Sequence, residues 1–291
     1  NDLTLDGALT GSGGLTKQGG ARLTLNGANT YTGGTAVDAD TLALGAGASL
    51  ASTGIVSLAT GATLDLSAGN GTQVFGTLTG SGNVDLGANS ITVGGPTDGV
   101  FSGSISGSGG LVKEGVGTET LTGSNAYTGG TLVDAGTLAI GAGGSLSSTG
   151  AVTLAAPGTG FDIASGGNQS IGLLNGVAGS TVTLGGNTLT LGGVANGAFD
   201  GIVGGTGGIV KTGAGIQTLR GVNTFSGGVG LNAGGLVLGN DGALGTGRLT
   251  VGGNATLDAG PALNLANDID LAAGAALNLL GGNALTLGGP I

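Results

Sequence analysis

One seven-residue phrase returns three times along the chain: "NTYTGGT" at 29–35, "NAYTGGT" at 125–131 and "NTFSGGV" at 223–229. Its surroundings return with it. "GSGGLTKQG" (11–19), "GSGGLVKEG" (107–115) and "GTGGIVKTG" (205–213) precede it. "VDADTLALGAGASL" (37–50), "VDAGTLAIGAGGSL" (133–146) and "LNAGGLVLGNDGAL" (231–244) follow. Lys17 to Lys113 is 96 residues and Lys113 to Lys211 is 98, which sets repeats at about 9–104, 105–202 and 203–291, the last truncated. Residues 9–54 and 105–150 are identical at roughly two-thirds of positions. A long fixed period restricts a chain to architectures in which each unit buries its apolar face against the next. The two extra residues of the second interval fall near Gly176–Ser180, a loop that tolerates insertion.

Within each repeat the texture is short strand, Gly turn, short strand. "LTL", "TVTL" and "LNL" alternate apolar residues with Thr or Asn, the period of a half-buried strand. Glycine supplies 73 of the 291 residues, and each would cost about 1 kcal/mol inside a helix. Collagen is excluded by four prolines and the lack of a strict triplet register. Disorder is excluded by a mean hydropathy of +0.41 with only 8% charged residues. Aromatics at 2% argue against a propeller. The expected fold is all-β: one elongated domain over 1–291, a three-sided parallel β-helix with coils of roughly 20 residues and a core of Leu, Val, Ile and Ala.

The recurring phrase then has a structural reading. Tyr31, Tyr127 and Phe225 fill one equivalent place, with Asn29, Asn125 and Asn223 two residues earlier. Residues i and i+2 of a strand share a face. In the plainer reading the ring fills a corner and the Asn amide bonds the turn backbone. In the sharper one the ring is an exposed platform for stacking a ligand. Because Phe225 replaces Tyr, replacing Tyr31 by Phe is expected to be nearly silent. The pairs Gly33–Gly34, Gly129–Gly130 and Gly227–Gly228 are read as corners needing positive φ. Asp40 aligns with Gly136 and Gly234, so it is read as a turn residue in the left-handed region. Asp65, Asp162 and Asp258 recur between apolar neighbours and are expected to face solvent. Lys17, Lys113 and Lys211 are expected at a solvated turn.

These residues carry a resemblance. "GSGGLTKQG…LTLNGANTYTGGT…DADTLAL" resembles the passenger-associated transport repeat of autotransporters, the self-secreted surface proteins of Gram-negative bacteria. The pattern is met nearly throughout at 11–35 and 107–131. It is met less well at 205–229, where Phe225, Ser226 and Val229 replace Tyr, Thr and Thr. The resemblance implies a right-handed parallel β-helix at the cell surface and an outer-membrane barrel in the same parent chain as its partner. It further implies a part in the passage and folding of the passenger. The chain starts without signal-peptide features and stops mid-pattern, which reads as a piece of a longer array.

Chemistry is sparse. Histidine and cysteine are absent, so neither a Ser-His-Asp nor a Cys-His nucleophile can be assembled, and disulfides are excluded. The i, i+2 pairs Asp38/Asp40 and Asp268/Asp270 lack the apolar surroundings that tune an acid–base pair. No catalytic, cofactor-binding or metal-binding residue is assigned. The calcium-roll nonapeptide is not repeated, and "GSGNVDLG" (80–87) is an isolated near miss. Six basic against 16 acidic residues give a net charge of −10, which repels nucleic acid. Irregular Thr spacing argues against ice binding. Two readings remain: a surface stalk that aids secretion and presents adhesive regions, or an adhesin that binds copies of itself or host surface molecules.

Overall fold

The computed structural model describes residues 1–51, 53–69 and 71–290. Ile291, the last residue of the third repeat, lies outside them. The described elements are short strands joined by turns, without a helix. The chain divides into two compact units, Asn1–Ser147 and Ser148–Ile291.

Each unit is a parallel β-solenoid. In the first, the strands fall in three sheets; the chain alternates between two of them as far as Thr63–Asp65 and enters the third at Gln73–Phe75. One contains Leu3–Leu5, Leu23–Leu25 and Thr41–Leu44, another Leu15–Lys17, Thr35–Val37 and Ile55–Leu58, and the third Gln73–Phe75, Ile91–Val93, Leu111–Lys113 and Thr131–Val133. In this unit paired residues are 18 apart at the shortest (Gln73↔Ile91) and 22 at the longest (Ile55↔Thr77), so the coil of roughly 20 residues is borne out. The second unit repeats the plan, pairing Gln169–Ile171, Leu189–Leu191, Ile209–Lys211, Val229–Leu231 and Leu249–Val251 in register. The extra residues near Gly176–Ser180 fall in the turn between strands Leu173–Gly176 and Thr181–Thr183.

The alternation of Leu with Thr becomes columns. Leu3, Leu23, Leu42, Leu64, Val84 and Ile105 lie in register, one above another. From Leu23 on they are buried, and the residues beside them are more exposed except Ala43. Phe75 and Phe101 are fully buried in the same unit, and Phe161, Phe199 and Phe225 in the other. A repeat of 96 residues is not a whole number of such coils. The equivalent strands Leu15–Lys17 and Leu111–Lys113 therefore fall in different sheets of the first unit. The same words of sequence return on a different face.

The glycine pairs divide their work. Gly34, Gly130 and Gly228 have φ of +86°, +86° and +81°, the left-handed geometry expected. Gly33 is required for another reason, which corrects the expectation for the first of each pair. A Cβ there would stand 2.6 Å from the Gly13 carbonyl carbon and the Gly14 nitrogen. The "GSGG" and "TGG" runs of one repeat thus stack on each other a coil apart. Gly129 over Gly109 and Gly227 over Gly207 show the same 2.6 Å approach. Gly20, by contrast, has nothing within 4 Å of the added atom. The Gly33→Val/Gly34→Val double variant is expected to lose at least about 2–4 kcal/mol, from overpacking and left-handed strain together. Gly20→Ala should melt within a degree or two of the parent; equal thermal unfolding of all three proteins would contradict the stacking account.

Candidate functional site

The corner that carries the seven-residue phrase lies between strands, where the ladder lapses and backbone groups need other partners. Asn29 provides them. Its Oδ1 accepts the Leu9 N–H at 2.8 Å, and its Nδ2 donates to Gly27 O at 2.9 Å and Ser49 O at 2.8 Å. One carboxamide therefore ties its own coil to the coils on either side. Asn125 repeats this with Ile105 N–H at 3.1 Å, Gly123 O at 2.8 Å and Ser145 O at 3.2 Å. Asn223 accepts Val203 N–H at 2.8 Å and donates to Ala243 O at 2.7 Å. All three are buried. The plainer reading of the Asn is correct but too local, because the bonds reach across coils.

The aromatic rings are buried, at 3%, 2% and 0% exposure for Tyr31, Tyr127 and Phe225, which removes the stacking platform. Their hydroxyls are engaged. Tyr31 pairs with Thr35 Oγ1 at 2.5 Å and Tyr127 with Thr131 Oγ1 at 2.7 Å, and burial raises the pKa of both phenols. In the third repeat the equivalent positions are Phe225 and Val229, so both hydroxyls vanish together. The Phe at 225 is tolerated because its partner changed too. Tyr31→Phe alone is thus not silent, since it leaves the Thr35 hydroxyl buried without a partner.

The repeated lysines are not at a solvated turn. Lys113 stands in an inward column between Val93 and Val133, and Lys211 between Leu191 and Leu231. Their ammonium groups bend back onto turn carbonyls. Lys17 Nζ donates to Gly19 O at 2.8 Å and Ala39 O at 3.0 Å, and Lys113 Nζ to Gly115 O at 2.7 Å and Ala135 O at 3.3 Å. Lys211 Nζ donates to Gly213 O. Burial lowers the pKa of Lys113 and Lys211; for Lys113 the charges of Glu119, Asp98 and Glu114 oppose it. Ala39 and Ala135 precede the left-handed residues Asp40 (φ 56°) and Gly136 (φ 67°), so the turn reading of Asp40 holds and the lysine caps that turn from inside.

Other staples escaped the sequence reading. Asn89 Nδ2 donates to Leu66 O at 2.8 Å, Asn187 to Ile163 O at 2.8 Å and Asn283 to Ala259 O at 2.9 Å. A signal was present: each lies just before the "ITVGG" or "LTLGG" that closes its repeat. Asp65, Asp162 and Asp258 take the outward positions of their strands, as expected, and are half-buried there. Asp65 is held below the usual carboxylate range, because bonds from Ser67 and Arg22, the latter at 2.7 Å, outweigh its burial. The paired carboxylates are also engaged: Asp38 accepts Gln18 Nε2 at 3.0 Å, and Asp268 and Asp270 share Arg248. Among the described residues no group of three or more His, Cys, Asp and Glu is placed to hold a metal ion.

The passenger-associated transport repeat family matches residues 15–44, 111–140 and 209–238, the stretches that contain each lysine, asparagine and aromatic corner. The chain is 36% identical over 266 residues to the Adhesin BmaC autotransporter of Brucella suis biovar 1 (strain 1330). That similarity covers 86% of this chain and 7% of the relative, so the chain spans a small part of that protein's length. No solved structure matches.

Tyr127→Phe is expected to cost about 1–2 kcal/mol, because the Thr131 hydroxyl loses its partner. The double variant Tyr127→Phe/Thr131→Val, which reproduces the third repeat, should recover most of that loss. Denaturant unfolding of the double-mutant cycle reads the coupling, and strictly additive losses would refute the pairing.

Proposed function

We propose that this chain, an autotransporter passenger segment marked by its three transport repeats, serves as a surface stalk whose repeats drive coil-by-coil folding outside the cell. The observation that carries the reading is the direction of the repeated residues. The asparagines, aromatics, lysines and stacked glycines point into the stack or lie where coils meet, and the asparagine amides are consumed in coil-to-coil bonds. The outward residues beside them vary more, although Thr24, Thr120 and Thr218 recur at one outer position. Thr16, Val112 and Val210 occupy one equivalent outer position, and Ala36, Leu132 and Gly230 another. A binding array would repeat its outer face; a folding device repeats its joints.

Such a stack suits export. Each coil rests chiefly on its neighbours, so a coil that emerges can dock on the last one folded. Docking stabilises the external segment and opposes its return. Absence of cysteine fits passage as an unfolded chain. The stalk is proposed to be joined to an outer-membrane barrel of its parent chain, to lie on the surface of a Gram-negative bacterium, to carry adhesive regions, and to catalyse nothing. A second reading, in which these coils themselves adhere to copies of themselves or to host molecules, is favoured by the adhesin relative at 36% identity.

The two readings separate in a cell that exports the parent protein. Asn29→Ala, Asn125→Ala and Asn223→Ala combined should reduce the amount of passenger on the surface severalfold. Adhesion of bacteria or coated beads per displayed molecule should stay unchanged. Undiminished display would sink the folding role. A binding loss from outward substitutions such as Val112→Ser with Leu132→Ser, at equal display, would favour the adhesin.

A further inference from the structure

The second repeat contains a buried carboxyl group where the third has an amide. Glu119 and Gln217 are equivalent positions of "TETL" and "IQTL", both inward and both buried. Each reaches past a glycine of the preceding coil. A Cβ on Gly99 would stand 2.3 Å from Glu119 Oε2, and one on Gly197 would stand 2.8 Å from Gln217 Oε1. Beyond the glycine the ladder lapses. Strand Thr77–Gly80 pairs with Gly99–Phe101 through Phe101↔Gly80 alone, and Leu173–Gly176 with Gly197–Phe199 through Gly176↔Phe199 alone. Leu78 and Leu174 are thereby left without a strand partner on that side.

In the third repeat the Gln217 carboxamide replaces the missing peptide. Its Oε1 accepts the Leu174 N–H at 3.4 Å and its Nε2 donates to Leu174 O at 2.9 Å, with a second bond to Thr218 O at 3.1 Å. A carboxylate can reproduce only the accepting half. The Leu78 N–H donates to the Glu119 carboxyl group, and Glu119 Oε1 is buried without a partner. A proton on that group restores the donating half.

We propose that Glu119 stands in the folded chain as a neutral carboxylic acid, a proton-loaded staple over Leu78 that loosens this stretch of the first unit when the proton leaves. The neighbouring charges do not supply a substitute. Among the described residues Lys113 is the one cation acting on Glu119, and its Nζ already donates to the Glu114, Gly115 and Ala135 carbonyls. The acids nearby are Asp98, which accepts the Thr118 N–H at 2.7 Å, and Glu114. The packed strands Thr77–Gly80, Gly99–Phe101 and Thr137–Ile140 carry no titratable side chain. Burial lifts the Glu119 pKa from 4.5 to about 8, against the opposing pull of Lys113 and the Leu78 N–H. The folded chain thus holds a proton that the unfolded chain releases above pH 4.5. The stabilisation is complete below that pH and is lost as pH rises to about 8.

Glu114 and Glu119 are the two glutamates of the sequence, so carbon-13 labelling of glutamate carboxyls in the intact chain gives two resonances to titrate. One midpoint near 8 is expected; both midpoints in the ordinary range of 4 to 5 overturn the proposal. Thermal unfolding of Glu119→Gln against the parent gives a second readout. The variant should gain stability relative to the parent as pH rises from 5 to 9, and parallel profiles overturn the proposal. Gln217→Glu should install a new loss over the same pH interval in the second unit, and an unchanged pH profile there counts against the staple.

Discussion

Every coil of this chain must satisfy backbone N–H and C=O groups at corners where no strand lies alongside. An unpaired buried peptide group costs about 1–3 kcal/mol, and the coil is too thin to admit alternatives. Side-chain amides solve the problem in three dimensions. Asn29, Asn125 and Asn223 accept from one coil and donate to others. Gln217 does so across a gap in the ladder, and the buried lysines do it for the carbonyls of tight turns. The rest of the structure follows from this. Strands can be three or four residues long because the corners are held as firmly as the sheets.

The same constraint explains the composition. Where "GSGG" stacks on "TGG", backbones approach so closely that a methyl group has no place. Columns of Leu, Val and Ile fill the interior, and few rings are admitted. The phrase that returns in the sequence is therefore an internal fastening, while outer positions such as Ala36, Leu132 and Gly230 differ between repeats. A chain built this way can differ in surface from coil to coil while folding by one rule.

Much of the fold was legible because it is written in periods. The alternation in "LTL" and "TVTL" marked strands, the offset of 96 residues marked repeats, and the alignment of Asp40 with Gly136 and Gly234 marked a left-handed turn. What stayed hidden depended on groups about 20 residues away that meet only after stacking. Lysine on an inward column looks like a solvated charge until the carbonyls of Ala39 and Ala135 are brought over it. The joint change of Tyr with Thr to Phe225 with Val229 was visible, but its meaning needs the 2.7 Å contact of Tyr127 with Thr131. Glu119 carries one cue in the sequence, its inward parity in "TETL".

The account turns on the claim that a single carboxamide locks three successive coils. Amide hydrogen exchange at Leu9, Ile105 and Val203 tests it most directly, since these N–H groups donate to Asn29, Asn125 and Asn223. They should exchange as slowly as amides of the strand ladders. In Asn125→Ala, exchange at Ile105 should accelerate about tenfold to hundredfold, with Leu9 and Val203 little changed, as expected for a bond worth about 1–3 kcal/mol. Fast exchange at Ile105 in the parent protein, or an unchanged rate in the variant, would contradict it.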